Sequence, residues 1–86
     1  MRLVGIEEAR SLIDELDAKI VALLEERLEL CRRLGEEKRR LGLGLRDEDR
    51  EAEVLGRVPS RWRPLYRLVI EECLREQARG GFRGGV

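Results

Sequence analysis

Eighty-six residues bound a single small domain. Hydrophobic and charged residues each make up 42% of the chain, a balance that suits amphipathic helices and is too apolar for disorder. Eighteen Lys and Arg offset eighteen Asp and Glu, so the basic excess of a nucleic-acid binder is absent.

Residues 1–5 form a short lead-in to a long helix, expected over Ile6–Leu41. Its apolar residues recur at three- and four-residue steps: Ile6, Ile13, Leu16, Ile20, Leu23, Leu24, Leu30, Cys31, Leu34 and Leu41. That spacing is one face of an α-helix. Glu15 with Lys19, Glu29 with Arg33 and Glu36 with Arg40 are i,i+4 pairs in the favourable orientation. Only Gly35 weakens the run, by roughly 1 kcal/mol against alanine. About 36 residues at 1.5 Å each make roughly 54 Å of helix. A compact chain of this length has a radius of gyration of about 12 Å. The helix outreaches any core its own chain can build, and packing against a second copy is expected.

Three cations interrupt the stripe. Arg27 sits between Leu23/Leu24 and Leu30/Cys31, Lys38 between Leu34 and Leu41, and Arg10 between Ile6 and Ile13. Arg27 and Lys38 share a face, because eleven steps of 100° return to within about 20°. Unpaired buried charge is costly, so these cations call for an anionic partner from the protein or a ligand. Asp17, on the same stripe, is one candidate counter-ion.

Gly42-Leu43-Gly44 ends the long helix. Asp47 reads as the N-cap of a short second helix over Glu48–Arg57, with Glu48, Asp49 and Glu51 in its first turn. Pro59 stops it. Ser60 is the candidate N-cap of a third helix, and Pro64 fits its first turn. That helix reaches Arg79, burying Leu65, Leu68, Val69, Ile70, Cys73 and Leu74, and Gly80-Gly81 ends it. Four glycines in Gly80–Val86 mark a flexible tail or a linker stump. The expected organisation is a helical domain over 1–79 and a tail over 80–86. The expected fold is all-α: long, short and medium helices, with the long helices buried together in a dimer.

The chemistry the chain lacks is as informative. It has no histidine, so histidine-based catalysis and histidine-ligated zinc are excluded. Cys31 and Cys73 form no metal motif. Both fall at apolar helical positions and read as reduced thiols, with no disulfide expected. No run of 18 apolar residues would span a membrane, and the first five residues lack a signal-peptide core, so a cytoplasmic location is expected. Sixteen of the eighteen cations are arginine, and Gln77 is the sole glutamine. Against that bias, Lys38 and Gln77 stand out.

Taken singly, each polar residue on an inward face has an ordinary structural reading: a snorkelling arginine, a solvated helix start, a core thiol. Together, Arg27 and Lys38 on the first helix, Arg50 and Glu51 opening the second, and Cys73 and Gln77 on the third converge if the helices pack. Such a set suits a small dianion bearing a hydroxyl.

These residues carry a resemblance. Arg10 ahead of Leu16-Asp17, Leu23-Leu24-Glu25-Glu26-Arg27, Gly35 followed by Lys38, Arg46 to Glu51, and Ile70-Glu71-Glu72-Cys73 ending at Gln77 resemble the all-helical chorismate mutases, across residues 6–78. The resemblance implies an intertwined three-helix homodimer. It implies that Arg27 and Arg50 bind substrate carboxylates, with Arg10 reaching in from the partner subunit. Lys38 and Gln77 would meet the ether oxygen, and Glu51 with the Asp47 backbone amide would hold the ring hydroxyl. Cys73 stands where the family commonly has serine, and a thiol is a weaker donor. The implied reaction, chorismate to prephenate in aromatic amino-acid biosynthesis, is intramolecular and needs no cofactor or metal.

Two other readings remain open from sequence. An isochorismate–pyruvate lyase resembles the same fold and site, and the Asp47–Glu51 segment favours the mutase over it. A non-catalytic regulatory dimer module is the other, since the glycine tail permits fusion to another shikimate-pathway enzyme.

Overall fold

The computed structural model describes residues 5–80. Within them the chain is helical and has no strand. Helix α1 spans Ile6–Arg40, α2 spans Glu48–Gly56, a single 3-10 turn covers Ser60–Trp62, and α3 spans Arg63–Gly80. Of the tail expected over 80–86, Gly80 is the last residue of α3, and residues 81–86, like the first four residues of the lead-in, lie outside the described residues.

Helix α1 runs unbroken for 35 residues, and the molecule is 57 Å along its longest axis. Glu7 and Glu8 occupy its first turn and Lys38, Arg39 and Arg40 its last, each sign at the favourable end of the helix dipole. Of the three expected i,i+4 pairs, Glu29–Arg33 forms at 3.8 Å. Arg40 turns instead to Glu37, one residue nearer. The helix ends in a Schellman motif: Gly42 adopts φ +72°, its amide bonds the Arg39 carbonyl at 3.1 Å, and the Leu43 amide bonds the Lys38 carbonyl at 2.8 Å. Glycine is needed there because the left-handed region is costly for other residues.

Asp47 caps α2 as its position predicts, its Oδ1 accepting from the Arg50 amide at 3.0 Å. Ser60 does not cap α3. It opens the 3-10 turn without a side-chain capping bond, and the Trp62 amide bonds the Pro59 carbonyl at 2.9 Å. The junction is closed instead by Arg63, whose Nε donates to the Leu55 and Val58 carbonyls at 3.1 and 2.9 Å. The first residue of α3 thus bonds one carbonyl of the last turn of α2 and one of the loop after it.

Helices α1 and α3 run in the same direction and touch closely. A Cβ added at Gly35 would lie 2.7 Å from the Gln77 Cα and 2.8 Å from its carbonyl oxygen. The glycine that weakens α1 locally therefore admits the backbone of α3. Arg32 crosses the same seam, its Nε and Nη2 donating to Glu76 Oε1 at 2.9 and 2.7 Å. One expectation fails at this seam: Cys31 and Cys73 are not free thiols but a disulfide, with their Cα atoms 5.4 Å apart. The close approach at Gly35, one turn further along both helices, brings the two sulfurs together.

The core of one chain is small. Cys31, Ile70 and Cys73 are its buried hydrophobic residues, joined by Gly35 and by the polar Glu76 and Gln77. Leu65 and Leu68, expected inside, are 55% and 63% exposed. They line an open groove beside Val21, Leu24 and Leu28 of α1. The stripe residues Ile13, Leu16 and Ile20 are likewise about half exposed. The radius of gyration is 17.3 Å, well above the roughly 12 Å of a compact chain this long.

Candidate active site

The three helices enclose a cavity of about 260 Å³. Its apolar wall comes from Leu30, Leu34, Leu45, Val54, Ile70 and Leu74. Its polar lining is Arg27 and Lys38 from α1, Asp47, Arg50 and Glu51 from the start of α2, and Cys73 and Gln77 from α3. All the site residues expected from one chain therefore line a single pocket. Arg10 does not. It lies on the second turn of α1, exposed and paired with Glu7 at 3.1 Å.

The cations differ in how they are held. Lys38 Nζ donates to the Leu45 carbonyl at 2.6 Å and to Gln77 Oε1 at 3.1 Å. It thereby ties the loop after α1 to α3. Arg27 stacks over Tyr66, 5.4 Å from the ring centroid, and its Nη1 lies 3.7 Å from Cys31 Sγ. Among the described residues neither Arg27 nor Lys38 has a carboxylate partner, and Asp17 pairs with neither. Arg50 pairs with Glu53 on the exposed side of α2.

Gln77 is 3% exposed, and its amide orientation follows from its neighbours. Lys38 can only donate, so Oε1 faces it. Nε2 then points to Cys73 Sγ at 3.3 Å. The Gln77 backbone is pinned as well, its carbonyl accepting from Arg39 Nη1 at 2.6 Å.

Glu51 holds a different position. Its Oε2 is buried and receives no hydrogen bond. Arg46 Nε lies 3.5 Å away, within ion-pair range but not aligned to donate. Arg46 is turned toward Glu71, which it reaches at 2.5 Å. That hydrogen bond, with the charge of Glu51 nearby, pushes the Arg46 guanidinium above arginine's ordinary range. A buried acceptor without a donor is rare and calls for an outside partner.

Cys73 takes a different role from the one expected of it. Its sulfur lines the pocket, but in the disulfide it carries no S–H and cannot donate to a carboxylate. Four supporting residues are not singled out by the sequence. Arg39 and Arg46 are two arginines among sixteen, with no pattern to single them out. Arg32 and Glu76 are 44 positions apart, and only the pairing of α1 with α3 joins them.

Comparison with known proteins assigns the chain to a family. The family model for chorismate mutase type II matches residues 9–78, and the chain belongs to that family. It is 38% identical over 53 residues to the chorismate mutase of Methanocaldococcus jannaschii, covering 62% of this chain and 54% of the relative. It is 36% identical over 69 residues to the 3-dehydroquinate dehydratase of Pyrobaculum aerophilum, covering 80% of this chain and 23% of the relative. The chain thus spans about half the length of the first and about a quarter of the second. No solved structure matches the chain at a significant level.

Proposed function

We propose that the chain is a chorismate mutase, acting as a homodimer on chorismate and releasing prephenate. The observation that carries this reading is a set of complementary vacancies in one pocket. Among the described residues Arg27 and Lys38 have no carboxylate partner, and Glu51 Oε2 is a buried acceptor that receives no hydrogen bond, with Arg46 Nε 3.5 Å away. Chorismate offers two carboxylates to the cations and a ring hydroxyl to Glu51. Its ether oxygen then falls to the Lys38–Gln77 pair.

The rearrangement breaks a C–O bond and forms a C–C bond within one molecule. It needs no nucleophile and no proton transfer. The pocket contributes in two ways. Its apolar wall and its arginines hold the enolpyruvyl side chain over the ring, a proximity gain. Lys38 Nζ and Gln77 Nε2 donate to the ether oxygen as negative charge gathers there. For that contact Nε2 leaves Cys73 Sγ, a weak acceptor that is readily exchanged.

Dimerisation is supported by the uncovered apolar stripe of α1 and by an open groove between Val21, Leu24 and Leu28 of α1 and Leu65 and Leu68 of α3. On one helix Arg10 lies roughly 25 Å from Arg27 and about 100° around the axis, so it serves the pocket of a partner and not its own. The dehydratase relative supports fusion to, or association with, another enzyme of the shikimate pathway. A cytoplasmic location fits that pathway. Among the described residues no helix is long and apolar enough to cross a membrane.

The test is an absorbance assay of the purified protein with chorismate, in parallel with isochorismate. Loss of chorismate with appearance of prephenate is expected. Salicylate and pyruvate from isochorismate, with chorismate untouched, would assign the lyase. No turnover of either would leave the regulatory module.

A further inference from the structure

The disulfide sits in the wall of the pocket, and its place there is not explained by the need to hold the fold. Other contacts already join α1 to α3, three of them close to the C-terminal end of the seam. Gly35 packs on Gln77, Arg32 pairs with Glu76, and Arg39 bonds the Gln77 carbonyl. All three meet α3 at residues 76–77, at the end of the pocket where Lys38 and Gln77 lie. The disulfide joins the helices one turn earlier, toward Arg27.

Arg27 is the residue that most needs such a brace. It precedes Cys31 by one turn of α1, and its Nη1 lies 3.7 Å from Cys31 Sγ. Its other anchor is the Tyr66 ring of α3. The guanidinium therefore spans the seam between α1 and α3, and its reach into the pocket depends on their separation at this level. Gln77 depends on it less, because its own backbone is pinned independently.

We propose that the Cys31–Cys73 disulfide positions Arg27 for a substrate carboxylate, so that its reduction by a dithiol weakens substrate binding and leaves turnover of bound substrate largely intact. This rests on the chorismate mutase reading of the pocket. Both cysteines line the cavity, which is the route by which a small dithiol would approach the bond. The exchange is balanced: one reductant thiolate attacks a protein sulfur to form a mixed disulfide, and the second thiol closes on it. Both cysteine thiols are released, and the dithiol leaves as its cyclic disulfide. The sulfurs then part from a bonded distance to van der Waals contact, and α1 and α3 relax where Arg27 bridges them. A carboxylate is held by Arg27 in the ground state and the transition state alike. Its loss therefore falls on KM and not on kcat.

The experiment compares the air-oxidised protein with the same protein after dithiothreitol treatment, with thiols titrated and helix content followed by circular dichroism. The double variant Cys31→Ala, Cys73→Ala reaches the unlinked state without reductant and adds no new donor to the pocket. In both unlinked forms KM for chorismate should rise about tenfold, the order expected when a hydrogen bond to a charged group is lost, with kcat changed less than about threefold. Two free thiols in the air-oxidised protein would overturn the proposal. So would an unchanged KM, whatever happens to the melting temperature, or a collapse of kcat at constant KM. Loss of helix in both unlinked forms would also overturn it, since the bond would then be holding the fold. Activity in the oxidised protein that ignores reduction defeats the role of the disulfide alone. No activity in any form defeats the functional reading itself.

Discussion

Lys38 makes two hydrogen bonds, one to the loop carbonyl of Leu45 and one to Gln77. The first fixes the ammonium in place, and the second aligns the amide beside it. Removing one preorganised donor of this kind costs about 10²-fold or more in kcat. Lys38→Ala should therefore lower kcat by at least that factor, and steady-state kinetics at saturating chorismate would show it. Gln77→Glu tests the neighbouring group through pH. A carboxylate cannot donate, and Lys38 at hydrogen-bond distance favours the charged form. Activity of this variant should be low at neutral pH and rise toward acid as the carboxyl gains its proton. A pH–rate profile parallel to that of the unsubstituted protein would rule out direct contact with the ether oxygen. Lys38 and Gln77 were legible in the sequence because the composition disfavours both residue types. Arg39 and Arg46 were not, because their partners are a backbone carbonyl and an acid from other elements.

The helices themselves were readable from period and punctuation. Asp47, Pro59 and the Gly42-Leu43-Gly44 stop all mark boundaries that the structure keeps. What local pattern could not show is the use to which a weak position is put. Gly35 reads as a defect in α1 and is the point where α3 lies against it. The cysteines read as core thiols for a related reason: a disulfide depends on the distance between helices, which periodicity within one helix does not contain. Gly35→Ala separates the two views. Helix propensity alone predicts a gain of about 1 kcal/mol. The added Cβ would meet α3 backbone at 2.7 Å, and overpacking of this kind costs about 1–3 kcal/mol. The melting temperature should fall, and a rise would show that α1 and α3 have room between them.

At the scale of the molecule, the proposed site needs two chains to complete it. The pocket holds every expected residue except Arg10, and the half of α1 that carries Arg10 has an apolar face with no cover from its own chain. The most direct measurement is complementation between two variants, Arg10→Ala and Arg27→Ala, each expected to be nearly inactive as a homodimer at chorismate well below KM. They are unfolded together in equal amounts and refolded, with a mass tag to verify exchange of subunits. Random pairing makes about half of the dimers mixed. One pocket of each mixed dimer lacks both arginines, and the other is whole, so about one quarter of all pockets should be intact. Chorismate mutase activity recovering toward one quarter of the unsubstituted level is the predicted result. Confirmed exchange with no recovery would contradict a pocket shared between two chains.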